Sequence, residues 1–144
     1  MGQQQLLLVI LVTIIVGIAT VVAINTFGSA ADAANIDAVR QDVASIASSA
    51  QGYYMKPTML GGGGRDFSTF TFEGVAVPGE IDNPGTDTII INENGTYEIT
   101  GQDAGSVTIT ATPASIEGYS PGTSGTGDDV LVATIEPNEL SFGS

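Results

Sequence analysis

The stretch LLLVILVTIIVGIATVVAI, from Leu6 to Ile24, decides the fold of this chain of 144 residues. Only Thr13, Gly17 and Thr20 interrupt its aliphatic side chains, and none of its residues is charged. As a helix it has a length of about 28 Å, close to the thickness of the hydrocarbon core of a bilayer. Because a helix satisfies its own backbone polar groups, it is the conformation expected in lipid. We therefore predict an apolar helix that spans a membrane, within residues 1–28.

A cleaved secretory signal is the main alternative for this segment. Such a signal has positive charge before a shorter apolar core and small residues at the cleavage point. The preceding MGQQQ carries no positive charge and the apolar run is long, although Gly28 to Ala31 are small enough to be cut. The pattern favours a retained helix.

After residue 28 the apolar residues become periodic. They recur at intervals of three and four residues, which indicates an amphipathic helix with one narrow apolar stripe. With no proline before Pro57, we predict that the helix continues through residues 29–56 and that Pro57 ends it. We expect the stripe to pack on a sheet through Ile36, Val39, Val43, Ile46, Ala50 and Tyr53.

The remainder of the chain has the composition of a β domain. The glycines of residues 61–64 predict a flexible connector at residues 57–66, because glycine-rich segments behave as loose coil. Beyond it, β-branched runs separated by turn residues predict an antiparallel sheet in residues 67–144, with Asn94-Gly95 as a hairpin turn. The expected strands are 67–77, 88–91, 96–100, 107–111 and 130–135, with a short edge piece at 140–142. The predicted fold class is α+β: a long N-terminal helix packed on a small antiparallel sheet.

The charge distribution excludes several functions. All 16 acidic residues lie from Asp32 onward, against three basic residues in the whole chain, so the net charge of −13 belongs to the C-terminal part. We expect no nucleic-acid binding, which needs Lys and Arg for the phosphates. The chain has no histidine and no cysteine. It therefore lacks the commonest general base and the thiol nucleophile, and we expect neither an enzyme nor a cofactor.

Two weaker motifs occur in the predicted turns. Carboxylates there are candidate calcium ligands, although their spacing does not match a helix-loop-helix calcium site, and solvated turns explain them more simply. The candidates are Asp82, Asp87, Asp128 and Asp129. Asn94-Gly95-Thr96 is formally a glycosylation sequon, and an exposed turn permits a sugar there.

The N-terminal half resembles the type IV pilins and pseudopilins. The resemblance rests on Met-Gly, the three glutamines from Gln3, the uncharged aliphatic stretch with Gly17 and the amphipathic helix that follows. The stretch Ala50-Gln51-Gly52-Tyr53-Tyr54, with Pro57 and the glycine run, also resembles a pilin-like set that begins MGQQQLLL. The resemblance to these families covers about the first 65 residues. No motif of the β domain adds to it.

The resemblance implies processing and partners. In the family a prepilin peptidase cuts after a glycine, which here implies a cut between Gly2 and Gln3 and a methylated Gln3. The family usually has a longer basic leader, and a glutamate where this chain has Leu7. Packing, and not a buried ion pair, is then expected to set the register between subunits. The implied partners are the inner membrane before assembly, the pilus assembly machinery and further copies of the chain.

The sequence thus predicts a structural subunit of an extracellular type IV pilus-like filament. The alternatives are a pseudopilin of a secretion system and a single-span protein whose acidic domain binds a ligand at the membrane. We expect the filament core to be packed through the apolar helix, by Leu6, Leu7, Leu8, Ile10, Leu11, Thr13, Ile14, Ile15, Gly17, Ile18, Val21 and Val22.

Overall fold

A computed structural model describes residues 2–143 of the chain. One helix, α1, runs from Gly2 to Met55. The chain divides into two compact units between Ala34 and Asn35, so the first 33 described residues and the remainder are treated separately below. The prediction of one long helix joined to a small antiparallel sheet in an α+β fold is confirmed.

The second unit contains a six-stranded antiparallel sheet in which each strand pairs with the next along the chain. Consecutive strands pair in this order even across the long connection at residues 114–130. The strands are β1 (Glu80–Ile81), β2 (Ile89–Ile91), β3 (Gly95–Gln102), β4 (Val107–Pro113), β5 (Leu131–Ile135) and β6 (Leu140–Gly143). β1 was not predicted, and β6 is the edge strand that the sequence indicated.

The core of this unit lies between α1 and one face of the sheet. Val39, Val43, Ile46 and Ala50 of the apolar stripe are fully buried, and Ile36 and Tyr53 at its ends are half-buried. Ala47, which the stripe did not include, is also buried. The sheet contributes paired residues, among them Ile90, Tyr97 and Ala111 in one row across β2, β3 and β4 and Ile109 and Ala133 in another across β4 and β5.

The predicted strand at residues 67–77 is wrong. This segment is irregular, and Phe67, Phe70 and Phe72 are all buried in the core. A strand cannot bury positions 67 and 70 on the same face, because neighbouring side chains alternate. The chain therefore turns between them, and the Phe70 amide donates to the Phe67 carbonyl at 2.9 Å. Phe70 packs edge-on against both of the other rings.

The glycine run is a closed turn in the structure and not a loose connector. The amides of Gly62, Gly63 and Gly64 donate to the carbonyls of Pro57, Tyr53 and Lys56, at 2.9 to 3.1 Å. These bonds satisfy carbonyls that the end of a helix leaves without a partner. A side chain at residue 62 or 63 would collide with a neighbouring carbonyl oxygen, which explains why glycine occurs there.

Candidate assembly surface

The first unit presents an apolar surface on every side of the helix. The large aliphatic side chains from Leu6 to Ile24 are all between 53% and 67% exposed. This stretch contains every residue that the sequence proposed for a filament core. Exposed apolar surface on this scale is rare in monomeric soluble proteins and indicates contact with a membrane or with other protein.

Length and composition make α1 a candidate membrane span, and none of its most apolar window is buried. Core helices and N-terminal signal sequences can have the same length and composition. A core helix is mostly buried, which does not fit this exposed window. The helix indicates membrane association or secretion.

The threonines do not interrupt the apolar character of this surface. The hydroxyls of Thr13, Thr20 and Thr26 donate to the carbonyls of Val9, Val16 and Val22, one turn earlier, at 2.7 to 2.9 Å. This bonding is common for threonine in a helix. Each hydroxyl is therefore satisfied without water, and the methyl group remains as the apolar part of the side chain.

Thr13 and Gly17 are two of the small residues on this surface. They are four residues apart and so share one helix face. No other part of the described chain lies within 4 Å of a Cβ built on Gly17. A neighbouring helix can approach closely at such a position, as small residues allow between membrane helices.

In the second unit, three polar residues anchor α1 to the β domain. Asn35, Asp42 and Ser49 are spaced by seven residues and therefore lie on one side of the helix. The Asn35 amide donates to the Asn94 carbonyl at 3.0 Å, and the Ser49 hydroxyl donates to the Ala76 carbonyl at 2.7 Å. The apolar pattern of the helix did not identify these three residues. Their regular spacing beside the apolar stripe was the only signal that could have identified them.

Asp42 is the most connected of the three. Its Oδ2 accepts hydrogen bonds from Asn92 Nδ2 at 2.8 Å, Asn94 Nδ2 at 2.8 Å and the Tyr97 hydroxyl at 2.7 Å. Burial raises the pKa of the Tyr97 phenol far above its ordinary value, and the adjacent Asp42 carboxylate adds to this effect. The cluster joins the helix to the β2–β3 hairpin.

The sequon asparagine is part of this cluster. Asn94 is half-buried, and its Nδ2, the atom that would carry a sugar, already donates to Asp42. The folded domain therefore does not present the exposed Asn94 side chain that attachment of a glycan requires.

The calcium candidates do not converge. In residues 2–143 no group of three or more His, Cys, Asp or Glu side chains is arranged to hold a metal ion. The turn that holds Asp82 and Asp87 is organised by the Asn83 side chain, whose Oδ1 accepts from the amides of Thr88 and Ile89 at 3.1 Å. Asp128 and Asp129 are exposed in the β4–β5 loop.

The predicted processing site lies at the start of α1. Gly2 is the first residue of the helix, and Gln3 follows it as an exposed helical residue. Met1 lies outside the described residues. Cleavage between Gly2 and Gln3 stays a prediction.

Comparison with known proteins adds no relative. No family model, no curated protein and no solved structure matches the chain significantly. The class of protein therefore follows from the architecture itself. A long N-terminal helix, apolar and exposed in its first part and packed on an antiparallel sheet in its second, is a pilin-like architecture.

Proposed function

We propose that this chain is the structural subunit of an extracellular type IV pilus-like filament. The supporting observation is that α1 changes character along its length. Up to Ile24 its aliphatic side chains are exposed all round, whereas from Val39 to Ala50 its apolar stripe is covered by the chain's own sheet. The covered part needs no partner, and the exposed part needs lipid or other copies of the chain.

The free energy of burial favours assembly. Complete removal of a large aliphatic side chain from water contributes roughly 1.5 to 3 kcal/mol. Fourteen such side chains lie between Leu6 and Ile24. Complete burial of this set exceeds the roughly 5 to 15 kcal/mol that holds a whole domain folded. A subunit that leaves the membrane therefore gains most by packing its helix among the helices of its neighbours.

The mechanism has two stages. The chain first resides in the inner membrane through α1, and assembly machinery then moves it into the filament, where helix–helix contacts replace lipid contacts. A contact between two different surfaces does not close on itself, so it propagates as a helical fibre. The acidic β domains form the outer coat. Prepilin peptidase acts between Gly2 and Gln3 before assembly.

Electron microscopy of surface material sheared from cells that produce the chain tests this function. We expect detached fibres that consist mainly of this chain, with Gln3 as the N-terminal residue after sequencing. Short structures that stay with the cell envelope would favour a pseudopilin. A chain that remains monomeric in detergent and forms no fibre would favour a single-span binding protein.

Val16→Asp gives a more direct test, because it places a charge within the exposed apolar stretch. We expect fibre yield to fall at least tenfold while the chain still fractionates with membranes, since one aspartate costs only about 2.5 to 3.5 kcal/mol in a long apolar helix. Ser45→Asp, at an exposed position of the same helix, is the matched control. Normal fibre yield from Val16→Asp would contradict the proposal.

A further inference from the structure

An apolar knob lies at the end of α1, and we define it as Met55, Met59 and Leu60. These side chains are 68%, 96% and 66% exposed. In residues 35–143 only one other large hydrophobic side chain, Phe142, is exposed. Exposed hydrophobic residues scattered singly need no explanation, but these three lie within six residues of the chain.

The knob carries most of the positive charge of the chain. Lys56 and Arg65 flank it, and both are exposed. The third cation, Arg40, pairs with Asp37 at 3.5 Å on the helix. Because the rest of the β domain is acidic, the knob is the one place in the described chain where cations and apolar side chains occur together.

The backbone of the knob is hydrogen-bonded to the end of α1. The short 3-10 helix Thr58–Leu60 forms its tip, and the glycine turn binds back to the end of α1. The Arg65 amide completes the closure by donating to the Tyr54 carbonyl at 2.8 Å. A surface that is already ordered loses little conformational entropy when it binds.

A cleft of complementary character lies at the β1–β2 edge of the same unit. It has a volume of about 500 Å³ and is lined by Gly79, Ile81 and Ile91, together with the carboxylates of Glu80, Asp82 and Glu93. All three carboxylates are exposed. A side chain on Gly79 would collide with the Ile90 side chain and the Ile91 carbonyl oxygen, which explains why glycine occurs there.

The knob and the cleft lie at different positions along the axis of α1. Asn92, in the cleft wall, donates to Asp42 of α1. Met55 follows Asp42 by thirteen residues. This separation corresponds to about 20 Å along a helix. The knob of one chain therefore cannot fill the cleft of that same chain.

We propose that the knob of one subunit inserts into the cleft of a second copy. Met59 and Leu60 pack against Ile91, which pairs with Glu80 and so shares its face of the sheet, and Lys56 and Arg65 face the three carboxylates of the cleft. This inference rests on the proposed filament function and adds a second contact to it, outside the helical core. An apolar projection that fits a pocket elsewhere on an identical molecule gives a contact that repeats without closing, as a fibre requires.

Cysteine crosslinking tests the contact directly, because the chain has no cysteine of its own. Met59→Cys and Glu80→Cys are placed in two separately tagged full-length chains, which are co-produced and assembled. Treatment of the sheared fibres with a short bismaleimide is expected to give a band that contains both tags.

The matched control replaces Glu80→Cys by Ser141→Cys. Ser141 is exposed on β6, at the opposite edge of the sheet from β1. Five strand spacings separate these edges, which is about 24 Å. We expect at least ten times more product from the Met59 and Glu80 pair. Normal fibres with equal or no crosslinking from that pair would overturn the docking contact and leave the filament function intact.

The same pair also separates the two proposals if no fibre forms. Absence of fibres from the unmodified chain would overturn the filament function. The two tagged chains are then reconstituted in phospholipid vesicles and treated with the same reagent. A doubly tagged product would support the docking contact on its own, and its absence would overturn it.

Charge reversal tests the ionic part of the contact. Lys56→Glu combined with Arg65→Glu is expected to lower fibre yield at least tenfold, and Glu80→Lys with Glu93→Lys is expected to restore part of it. Arg40→Glu serves as the control away from the knob. Full fibre yield from the double reversal, with an unchanged near-UV circular dichroism spectrum, would overturn the role of the two cations.

Discussion

Replacement of Asp42 by alanine should reveal how strongly the polar cluster holds α1 to the sheet. One carboxylate oxygen accepts three hydrogen bonds, from Asn92, Asn94 and Tyr97. Asp42→Ala leaves all three donors without that acceptor. The Tyr97 hydroxyl is the most costly of them, because Tyr97 has no solvent exposure.

The cost can be estimated donor by donor. A buried donor without a partner costs about 1 to 3 kcal/mol. The two asparagines are half-buried and can bind water instead, so each loses about 0.5 to 1 kcal/mol. The sum is about 2 to 5 kcal/mol. For a domain of this size that loss lowers the melting temperature by about 8 to 20 °C.

Thermal unfolding of the full-length chain in a mild detergent measures this effect. The chain has four tyrosines and no tryptophan, so tyrosine fluorescence and near-UV circular dichroism report on the β domain. Asp37→Ala is the matched control, because its ion pair with Arg40 is exposed and should contribute less than about 1 kcal/mol.

A double-mutant cycle isolates the hydroxyl. In the Tyr97→Phe background, Asp42→Ala no longer strands a buried O–H donor, so it should cost about 1 to 2 kcal/mol less than in the native chain. If Asp42→Ala lowered the melting temperature no more than Asp37→Ala, the polar cluster would not hold the helix to the sheet.

Three further predictions use the same full-length chain. Gly63→Ala should lower the free energy of unfolding by about 1 to 3 kcal/mol, since the added Cβ collides with a carbonyl oxygen. Gly52→Ala is the control and should raise the free energy of unfolding by about 0.5 to 1 kcal/mol, because the space there is open. Equal effects of the two variants in thermal melts would contradict the packing described for the glycine turn. Burial raises the folded-state pKa of Tyr97, so the contribution of Tyr97 to stability is present below the ordinary tyrosine pKa of about 10 and declines as the pH rises above that value. Thermal melts between pH 8 and 11 should show a falling melting temperature, and Tyr97→Phe should reduce that fall. Asp103 accepts hydrogen bonds from the amides of Gly105 and Ser106 and from the Ser106 hydroxyl, and these bonds lower its pKa. The stabilisation of the β3–β4 turn is therefore present above about pH 4 and is lost as the pH falls through the folded-state pKa of Asp103. An ordinary pKa for the Asp103 carboxyl in a carbon-13 NMR titration would contradict these bonds.

Features that depend on local periodicity were predictable from the amino-acid sequence. The uncharged stretch from Leu6 to Ile24 specified the exposed apolar helix, and the interval of three and four residues specified the stripe that the sheet covers. The β-branched runs and the Asn94-Gly95 turn indicated most of the strands. Each of these signals lies within a window of a few residues, where the periods of helix and strand are visible.

The contacts between residues that are distant in the chain became visible only in the folded molecule. Asp42 and Tyr97 are 55 residues apart in the chain, and no local pattern shows that one accepts a hydrogen bond from the other. Phe67 is buried because the chain turns after it, and the glycine run is ordered because the end of α1 supplies acceptors for its amides. The knob and the cleft likewise arise from residues that come together only after folding. Periodicity indicates which side of an element is apolar, whereas the identity of its partner depends on the three-dimensional path of the whole chain.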